Sequence, residues 1–491
     1  MGIPVVVLIP LDARPVCLAW PKLLARMAGV ELLTPPESIL GHLKTPAKQD
    51  DLQTWVDSLS LAEAQVPFIV ALDTLIYGGL IPSRMGIEPL TLLEERLVTW
   101  QPCLNQAHGF ASVMRIAVYN NDAEEPGYWA TYGKALSEFS IQIHRDGQAD
   151  LALVASIPAE VRRHFLETRR RNMVIHRAFL DWAKGQTLES LVICQDDTGE
   201  YGLNRQEVDL LKSAVNGHNV SKKVSFQTGA DEVAVSQLAK VLWKKFPPDS
   251  DQTPKVAPKI SIVYSNPATA NRVATFDGLA ITTLVAHHVA ACGGTIIDSL
   301  ADADAVLWVH TPPNEVEIFG DYCEAPAPKA TEEQIQSLRN TLALGKPTMV
   351  ADVAAANGGS PDLVNALLAY DACPVNLIAY GAWNTPGNAM GSTVAMGLIH
   401  YWAFQNGSLV PELFRQALAI RLLDDGVYQS QVRSNFPTDR ALNDDDAQKL
   451  QALMTPWAKT ILAWAGLSRH AIRFSFPCQR RFEIEVNISP C

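Results

Sequence analysis

The chain has 491 residues, of which 48% are hydrophobic and 19% are charged, and this composition is typical of a folded globular protein. A chain of this length forms two to four domains, or one large α/β barrel with additions. The formal net charge of -12 argues against nucleic acid as a partner, because proteins that bind the phosphate backbone use clustered lysines and arginines.

The first segment, residues 2–10, is apolar but has no basic n-region, and it runs directly into Asp12 and Arg14. It is therefore predicted to be a first strand and not a signal peptide. The sequence has no apolar run long enough to cross a membrane, so no membrane partner is expected. The eight cysteines are scattered without a C-x-x-C pair, which favours a cytoplasmic protein with reduced, mostly buried thiols, Cys194 among them.

Apolar runs rich in β-branched residues alternate with helical stretches from residue 4 to about residue 379. This alternation predicts a mainly parallel sheet. The predicted strands are residues 5–11, 68–73, 113–119, 151–156, 191–195, 224–227, 260–264, 305–310, 348–352 and 376–380. The predicted helices are residues 50–62, 89–102, 127–144, 159–184, 204–216, 231–245, 277–292, 331–344 and 361–369. A proline-rich polar stretch at residues 247–254 has the composition of a linker.

Polar side chains follow many of these strands at their carboxyl ends. In a (β/α)8 TIM barrel all such ends converge on one mouth, whereas an open sheet gathers ligands at its switch point. We therefore predict an α/β fold in which residues 1–403 form a TIM-barrel-like catalytic domain with extra βα units. Beyond residue 403 the pattern changes to helices at 410–424 and 444–464 and a short β-like pair, which predicts a C-terminal cap subdomain at residues 404–491.

Two adjacent carboxylates end the predicted strand 191–195. Asp196 and Asp197 follow the apolar run directly, and two glycines and Tyr201 come next. Because the backbone turns at a strand end, both carboxylates can reach one cavity, where paired acids with different pKa values perform general acid/base catalysis. The alternative is that an aspartate only bonds the backbone of the following turn, which leaves the second carboxylate without a role. Tyr201 is expected to steady the pair or the substrate.

Further polar residues are expected around the same mouth. Asp73 and Tyr77 precede a glycine pair that allows close approach of the backbone to a ligand, and Trp383 and Asn384 follow the last predicted strand. Asparagine, tyrosine and tryptophan beside carboxylates suit a carbohydrate, because they bind hydroxyl groups and stack on sugar rings. The candidate substrate-binding residues are Asp12, Arg14, Asp73, Tyr77, Asn121, Tyr201, Asp231, Asp352, Asn357, Trp383, Asn384 and Asn388.

The common cofactor and metal motifs are absent from the sequence. It contains no G-x-G-x-x-G, G-x-x-x-x-G-K-[ST], G-x-S-x-G or H-E-x-x-H pattern. The adjacent His287 and His288 lie in the middle of a predicted helix, where packing is expected rather than zinc binding. No segment has the spacing of an EF-hand loop. We therefore predict neither a cofactor nor a structural metal.

Several long stretches resemble the bacterial domain-of-unknown-function family 4127. They are the stretches around Asp73, Asp196 and Trp383 together with residues 10–15, 229–232 and 476–483, so the resemblance covers nearly the whole chain. The sequence departs from the family pattern at Ala13, where a second acid is expected, and at Cys478, where tryptophan is expected. The resemblance implies common ancestry with this family, but the family name does not indicate an activity.

The order of the motifs is also similar to that in the barrel of the family 84 glycoside hydrolases, which include β-N-acetylglucosaminidases and hyaluronidases. The order here is Asp196-Asp197, Trp308, Asp352, Asn357, Asn384 and Asn388. This likeness implies that Asp196 polarises a 2-acetamido group of the substrate while Asp197 serves as general acid/base, in a substrate-assisted reaction.

Together these observations predict a retaining glycoside hydrolase, substrate-assisted, that acts on a small-molecule or oligosaccharide substrate of the amino-sugar type or a related glycan. Two alternatives stay open. A metal-assisted hydrolase or lyase on a barrel predicts loss of activity on chelation. A non-catalytic sugar-binding protein predicts saturable binding without turnover.

Overall fold

The computed structural model describes residues 2–59, 66–218, 220–248, 257–274, 276–312 and 329–491. The last residues of the predicted helix 50–62, residues 249–254 of the predicted linker and Cys323 lie outside this part of the chain.

The first half of the chain forms a six-stranded parallel sheet, here called sheet 1. Its strands are β1 (Val5–Ile9), β2 (Glu31–Leu33), β3 (Phe68–Ala71), β4 (Ala107–Val113), β5 (Leu188–Gln195) and β6 (Val224–Thr228). They lie in the order β2-β1-β3-β4-β5-β6. Helices cover both faces, so the central strands β1, β3, β4 and β5 are mostly buried.

The second half forms a five-stranded parallel sheet, here called sheet 2. Its strands are β7 (Lys259–Tyr264), β8 (Thr295–Ile296), β9 (Ala305–His310), β10 (Thr348–Asp352) and β11 (Leu377–Gly381), in the order β11-β10-β9-β7-β8. In each sheet the first strand lies between the second and the third. The two sheets therefore share the doubly wound order 2-1-3-4-5, which sheet 1 extends by one strand.

Helices fill the connections between the strands. The α-helices are α1 (Ala19–Met27), α2 (Gln49–Ser58), α3 (Leu72–Tyr77), α4 (Pro82–Met85), α5 (Leu90–Trp100), α6 (Trp129–Asp146), α7 (Leu151–Ser156), α8 (Ala159–Lys184), α9 (Leu203–His218), α10 (Val233–Lys245), α11 (Ile281–Ala291), α12 (Glu332–Ala343), α13 (Pro361–Leu368), α14 (Pro386–Gln405), α15 (Pro411–Arg421) and α16 (Asp444–Trp464). A π-helix, Leu422–Val432, continues α15 directly.

The largest hydrophobic core lies between the two sheets. Helices α1 and α10 of the first half pack there against α14, which also contacts β10 and β11 of sheet 2. A second core covers the other face of sheet 1 with residues from α2, α5, α8 and α9. Because α14 is buried on most of its surface, its sequence is rich in small and apolar residues instead of being amphipathic. The shared core joins the two sheets into one packed unit.

The expected TIM barrel is not confirmed. The described strands form two open sheets, and β6 is an edge strand of sheet 1 while β11 and β8 are the edges of sheet 2. An α/β protein with parallel strands was predicted correctly, but a barrel requires the strands to close into a single ring. The strands divide between β6 and β7, which are the strands on either side of the proline-rich stretch.

Two predicted strands are wrong. Residues 151–156 form α7, because the Asp150 side chain accepts hydrogen bonds from the backbone N–H groups of Ala152 and Leu153 and caps a helical turn. The prediction at 113–119 begins where β4 ends. Met114 and Ile116 leave the sheet and pack in a third hydrophobic cluster with Trp129.

The C-terminal part contains the predicted helices and β pair. After α15 and the π-helix come α16 and an antiparallel pair, β12 (His470–Ser475) and β13 (Glu485–Pro490). Helix α15 packs on α1, and α16 packs on the π-helix and β12. Within the described residues, no helix combines the length and the apolar character that a membrane crossing requires.

Candidate active site

Arg14, which follows β1, bridges two aspartates of sheet 1, one of which also contacts sheet 2. Its Nε donates to Asp12 Oδ2 at 2.8 Å. Its Nη2 donates at 2.6 Å to Oδ1 of Asp231, which follows β6. Asn384 follows β11 of sheet 2, and its Nδ2 donates to Asp231 Oδ2 at 3.4 Å. All four side chains are buried. The structure therefore brings together four of the residues that the sequence analysis selected.

The aspartate pair after β5 is held by two arginines. Arg84 Nη2 donates to Asp196 Oδ2 at 2.9 Å, and Arg115 Nη1 donates to Asp197 Oδ2 at 3.0 Å. Arg84 lies on α4, and Arg115 follows β4. Each carboxylate thus has its own arginine partner, so simple turn bonding does not account for either aspartate.

Glu125 connects the two arginines. Its Oε1 accepts from Arg115 Nε at 2.8 Å and from Arg84 Nη1 at 3.2 Å. Both Glu125 and Arg84 are 1% exposed, so the group is shielded from bulk water. Charge-assisted hydrogen bonds of this kind fix the positions of the carboxylates.

The C-terminal part extends the network. Glu124 Oε2 lies 2.7 Å from Arg115 Nη2, and its Oε1 is bound by Nη1 of Arg480. Arg480 also donates from Nε to Glu483 Oε1 at 2.9 Å. The segment between β12 and β13 therefore contributes to the same network as the carboxyl ends of sheet 1.

The electrostatic environment differs among the acids. Burial, and then the charge of Asp196, raises the pKa of Asp197 to about 7, although Arg115 and Arg84 oppose this shift. Burial also raises the pKa of Asp231, against the effect of Arg14. Burial also acts to raise the pKa of Glu124, but the nearby arginines hold this pKa well below the usual range. Arg480 has the largest effect among these arginines. Asp197 is therefore a carboxyl group that can carry a proton at neutral pH.

The backbone at Asp197 is in the left-handed region, with φ of 45°. Non-glycine residues in this conformation cost free energy and are concentrated at functional sites. The following turn packs against the segment at Asp277, because Thr198 N donates to Phe276 O. Asp277 Oδ2 in turn accepts from Gly387 N at 2.8 Å in the first turn of α14, and burial raises the pKa of Asp277 to about 7.

Asp73 and Tyr77 lie deeper in the protein than was expected. Asp73 Oδ2 accepts from Ser112 N at 2.8 Å and so connects α3 to β4, and burial raises the pKa of Asp73 to about 7. The Tyr77 ring lies under the guanidinium of Arg171, 5.3 Å from its centre. A side chain at Gly78, where φ is 85°, would meet Pro46, so this glycine serves packing and not the approach of a ligand.

Asn121 and Tyr201 lie at the protein surface. Asn121 Oδ1 accepts from Ala123 N at 2.7 Å within an exposed loop. Tyr201 is 40% exposed, and its ring lies edge-on to His144 at 5.8 Å. Neither residue has a contact with Asp196 or Asp197 that would steady the pair.

The remaining candidates belong to sheet 2. Asp352 Oδ2 accepts from Ser360 N at 2.6 Å. Asn357 N donates to the carbonyl of Asn384 at 2.8 Å, which ties the two asparagine loops together. Trp383 is buried and lies edge-on to Phe482. Asn388 Nδ2 donates to Thr385 Oγ1 at 3.0 Å at the start of α14.

Comparison with protein-family models gave one match. The model described as "Protein of unknown function (DUF4127)" matches residues 6–487. The chain belongs to the DUF4127 family. Comparison with curated proteins gave no match for this DUF4127 chain. Comparison with solved structures gave none either.

Most of the arginines of this DUF4127 site were not among the residues predicted from the sequence. Arg84, Arg115 and Arg480 bind the acids directly, but the charged residues that were selected here were Asp12, Arg14, Asp196, Asp197 and Asp231. Arg84 ends the stretch that begins at Asp73, and Arg480 lies in one of the stretches that carry the family resemblance. Those positions could have identified the arginines, but only the acids in these stretches were considered as site residues.

The acids of the DUF4127 site are paired with arginines and not grouped around a common centre. Among the described residues, no group of three or more His, Cys, Asp and Glu side chains is positioned to hold a metal ion. His288 is fully buried and lies 4.0 Å from Glu232, and burial lowers its pKa to about 3. The arrangement can bind polar groups and exchange a proton at Asp197.

Proposed function

We propose that the protein is a retaining glycoside hydrolase, substrate-assisted, that acts on an amino-sugar or related glycan, with Asp197 as general acid/base and Asp196 as the polarising residue. The observation that carries this proposal is the raised pKa of Asp197 beside a second buried carboxylate. Arg84 binds Asp196 at 2.9 Å and Arg115 binds Asp197 at 3.0 Å, and burial and the charge of Asp196 raise the pKa of Asp197 to about 7. A carboxyl group with a pKa near 7 can both donate and accept a proton at neutral pH.

The raised pKa suits proton transfer to a leaving group. A general acid works best when its pKa is near the working pH, because it is then both protonated and able to release the proton. The arginine at Asp197 Oδ2 leaves the other carboxyl oxygen for the substrate, and the left-handed backbone fixes the direction of the side chain. These features support an acid/base role more than a purely structural one.

A surface cleft beside the network has the size of a sugar site. It has a volume of about 570 Å³, within the range of small-molecule sites. Met85 and Pro126 line it, and each directly follows a residue of the network, Arg84 or Glu125. Tyr128 also lines the cleft, and its hydroxyl lies 3.0 Å from His164 Nδ1. The cleft therefore has room for a sugar-sized ligand beside segments that carry the network.

The cysteines support a cytoplasmic location as part of the proposal. The seven cysteines within the described residues are free, and Cys17, Cys194, Cys292 and Cys478 are buried. Reduced thiols in a protein of this size are typical of a reducing compartment.

The test is a screen of chromogenic glycosides with the wild type, Asp197→Asn and Asp196→Asn. Loss of the general acid should lower turnover by about 10²–10⁴-fold on substrates with poor leaving groups and far less on activated aryl glycosides. Asp196→Asn should lower turnover on both kinds, because Asp196 acts on the attacking group. The matched control is Asp209→Asn, an exposed aspartate on α9, which should keep wild-type turnover. Wild-type turnover in both active-site variants would refute the proposal.

A further inference from the structure

A small polar cavity lies next to the Arg14 and Asp231 pair, between the two sheets. Its volume is about 10 Å³, which is room for one oxygen-sized group. The lining residues are Val16, Glu232, Trp383, Asn388, Ala389, Ser392, Arg421 and Asp425. Val16 is two residues from Arg14, Glu232 follows Asp231 and Trp383 precedes Asn384. Three segments that supply residues to the site described above therefore also line this cavity.

Asp425 Oδ1 is ion-paired with Arg421, and five other lining residues have a buried polar atom without a hydrogen-bond partner among the described residues. These atoms are Glu232 Oε2, Trp383 Nε1, Asn388 Oδ1, Ser392 Oγ and Arg421 Nε. The side chains other than that of Ser392 are at least nine-tenths buried. Buried polar groups in folded proteins nearly always have a partner, so five residues with such atoms around one small space indicate that a water molecule or a ligand group is bound there.

The kinds of atom define the chemistry of that group. Trp383 Nε1 and Arg421 Nε can only donate, and Asn388 Oδ1 can only accept, because the amide nitrogen of Asn388 is already bonded to Thr385 Oγ1. An ammonium group has no lone pair for the two donors. A carboxylate or phosphate has no proton for Asn388, and it would face the carboxylate of Asp425. A hydroxyl group donates one hydrogen bond and accepts two, so it matches Trp383, Arg421 and Asn388 and can take the place of a water molecule there.

The cavity is also within reach of a ligand. Val16 and Ser392 are partly exposed, whereas the other lining residues are buried. Arg421 is fixed in place, since it lies 4.3 Å from the Trp20 ring and forms a salt bridge of 3.1 Å with Asp425. Asp425 Oδ2 in turn accepts from Ala382 N at 2.9 Å. The donors are thus preorganised, and a ligand hydroxyl can bind without reordering them.

We propose that this cavity is a specificity subsite that binds one hydroxyl group of the ligand. This proposal rests on the proposed function in one respect, namely that the ligand is a sugar. Ala389 lines the cavity with a methyl group, so Ala389→Ser supplies a hydroxyl group from the protein itself. The matched control is Ala395→Ser, which introduces the same group in the same helix at a fully buried position of the apolar core.

The first measurement needs no ligand. Ala389→Ser should keep or raise the melting temperature, because the new hydroxyl group meets the unpartnered atoms. Ala395→Ser should lower it, because it buries a hydroxyl group among apolar side chains. An equal loss in both variants would contradict the inference.

The second measurement is calorimetric titration with N-acetylglucosamine and its 3-, 4- and 6-deoxy analogues, in an Asp197→Asn background that prevents turnover. One deoxy analogue should bind about tenfold more weakly than the parent sugar, the loss expected for a missing hydrogen bond. This difference should disappear in Ala389→Ser and persist in Ala395→Ser. Equal binding of all the analogues, absence of saturable binding, or a difference that persists in Ala389→Ser would overturn the inference.

The two proposals fail separately. Unchanged turnover in Asp197→Asn would refute the general acid and would leave the selective loss in a deoxy analogue as evidence for the cavity. Turnover that depends on Asp197, with equal affinity for all the analogues, would refute the cavity alone. A crystal structure with bound sugar and only water in the cavity would have the same consequence.

Discussion

Arg84 and Asp196 are 112 residues apart in the chain and form a buried salt bridge of 2.9 Å between Nη2 and Oδ2. Arg84 is 1% exposed, and it also binds Glu125. One guanidinium therefore connects the segment after β3 to the segments after β4 and β5. The positions of the proposed catalytic carboxylates depend on this cation.

Arg84→Met should lower the free energy of unfolding by about 3–5 kcal/mol, because it leaves Asp196 and Glu125 buried without their shared partner. Urea denaturation at neutral pH is the measurement. Arg145→Met is the control, since Arg145 pairs with Asp146 at the surface, and it should leave the unfolding midpoint unchanged. An equal effect of both substitutions would show that the buried salt bridge contributes no more to the free energy of unfolding than the surface one does.

Asp277 should make stability fall as the pH rises. Burial raises the pKa of Asp277 to about 7, so the folded state holds its proton up to a higher pH than the unfolded state does. The contribution is complete below the unfolded pKa of about 4 and is lost as the pH rises through about 7, at about 1.4 kcal/mol per pKa unit. Denaturation at pH 5 and pH 8 should therefore show a smaller decrease in Asp277→Asn than in the wild type. The prediction fails if the two proteins lose the same stability over this interval.

Arg480 and Glu124 should be energetically coupled. Arg480 is the first of the arginines that hold the pKa of Glu124 well below its usual range against the effect of burial. In a double-mutant cycle with Arg480→Met and Glu124→Gln, we expect a coupling energy of at least about 1 kcal/mol. The surface pair of Arg339 and Glu332 provides the control cycle, where a much smaller coupling is expected. Equal couplings would argue against a structural role of Arg480 in the network.

Cys194 should be inert in the native protein. It is fully buried on β5, and burial raises the pKa of its thiol well above the usual value. Mass spectrometry after brief treatment with iodoacetamide should show labelling at the exposed Cys491 and none at Cys194. Both residues should react in urea, which serves as the internal control. Rapid native labelling of Cys194 would contradict its position in the strand.

The helices were predicted well because amphipathic periodicity extends over many residues. Helix α8 was predicted at its observed bounds, Ala159–Lys184, and its apolar positions recur along one face. Short apolar runs are ambiguous, which explains why residues 151–156 were assigned to the wrong class. Strand β4 was misplaced because it contains His108, Gly109 and Ser112, which do not have the pattern of a buried strand.

The number of sheets could not be read from the alternation of strands and helices. A barrel and two open sheets have the same local pattern, and they differ only in which strands pair at the edges. The contact of Arg14 with Asp231 was within reach of the sequence, because polar residues at carboxyl strand ends tend to meet. The pairs of Arg84 with Asp196 and of Arg480 with Glu124 depend on long-range packing that no local spacing encodes.

The position of Arg480 also has a consequence for synthesis. Glu124 leaves the ribosome 356 residues before Arg480, an interval of roughly 20–70 s at usual rates of translation. During this interval sheet 1 can form with Glu124 bound to Arg115 but without the partner at its other oxygen. Nascent chains of this protein should therefore complete the network of arginines and carboxylates only near the end of translation, well after the first sheet has folded.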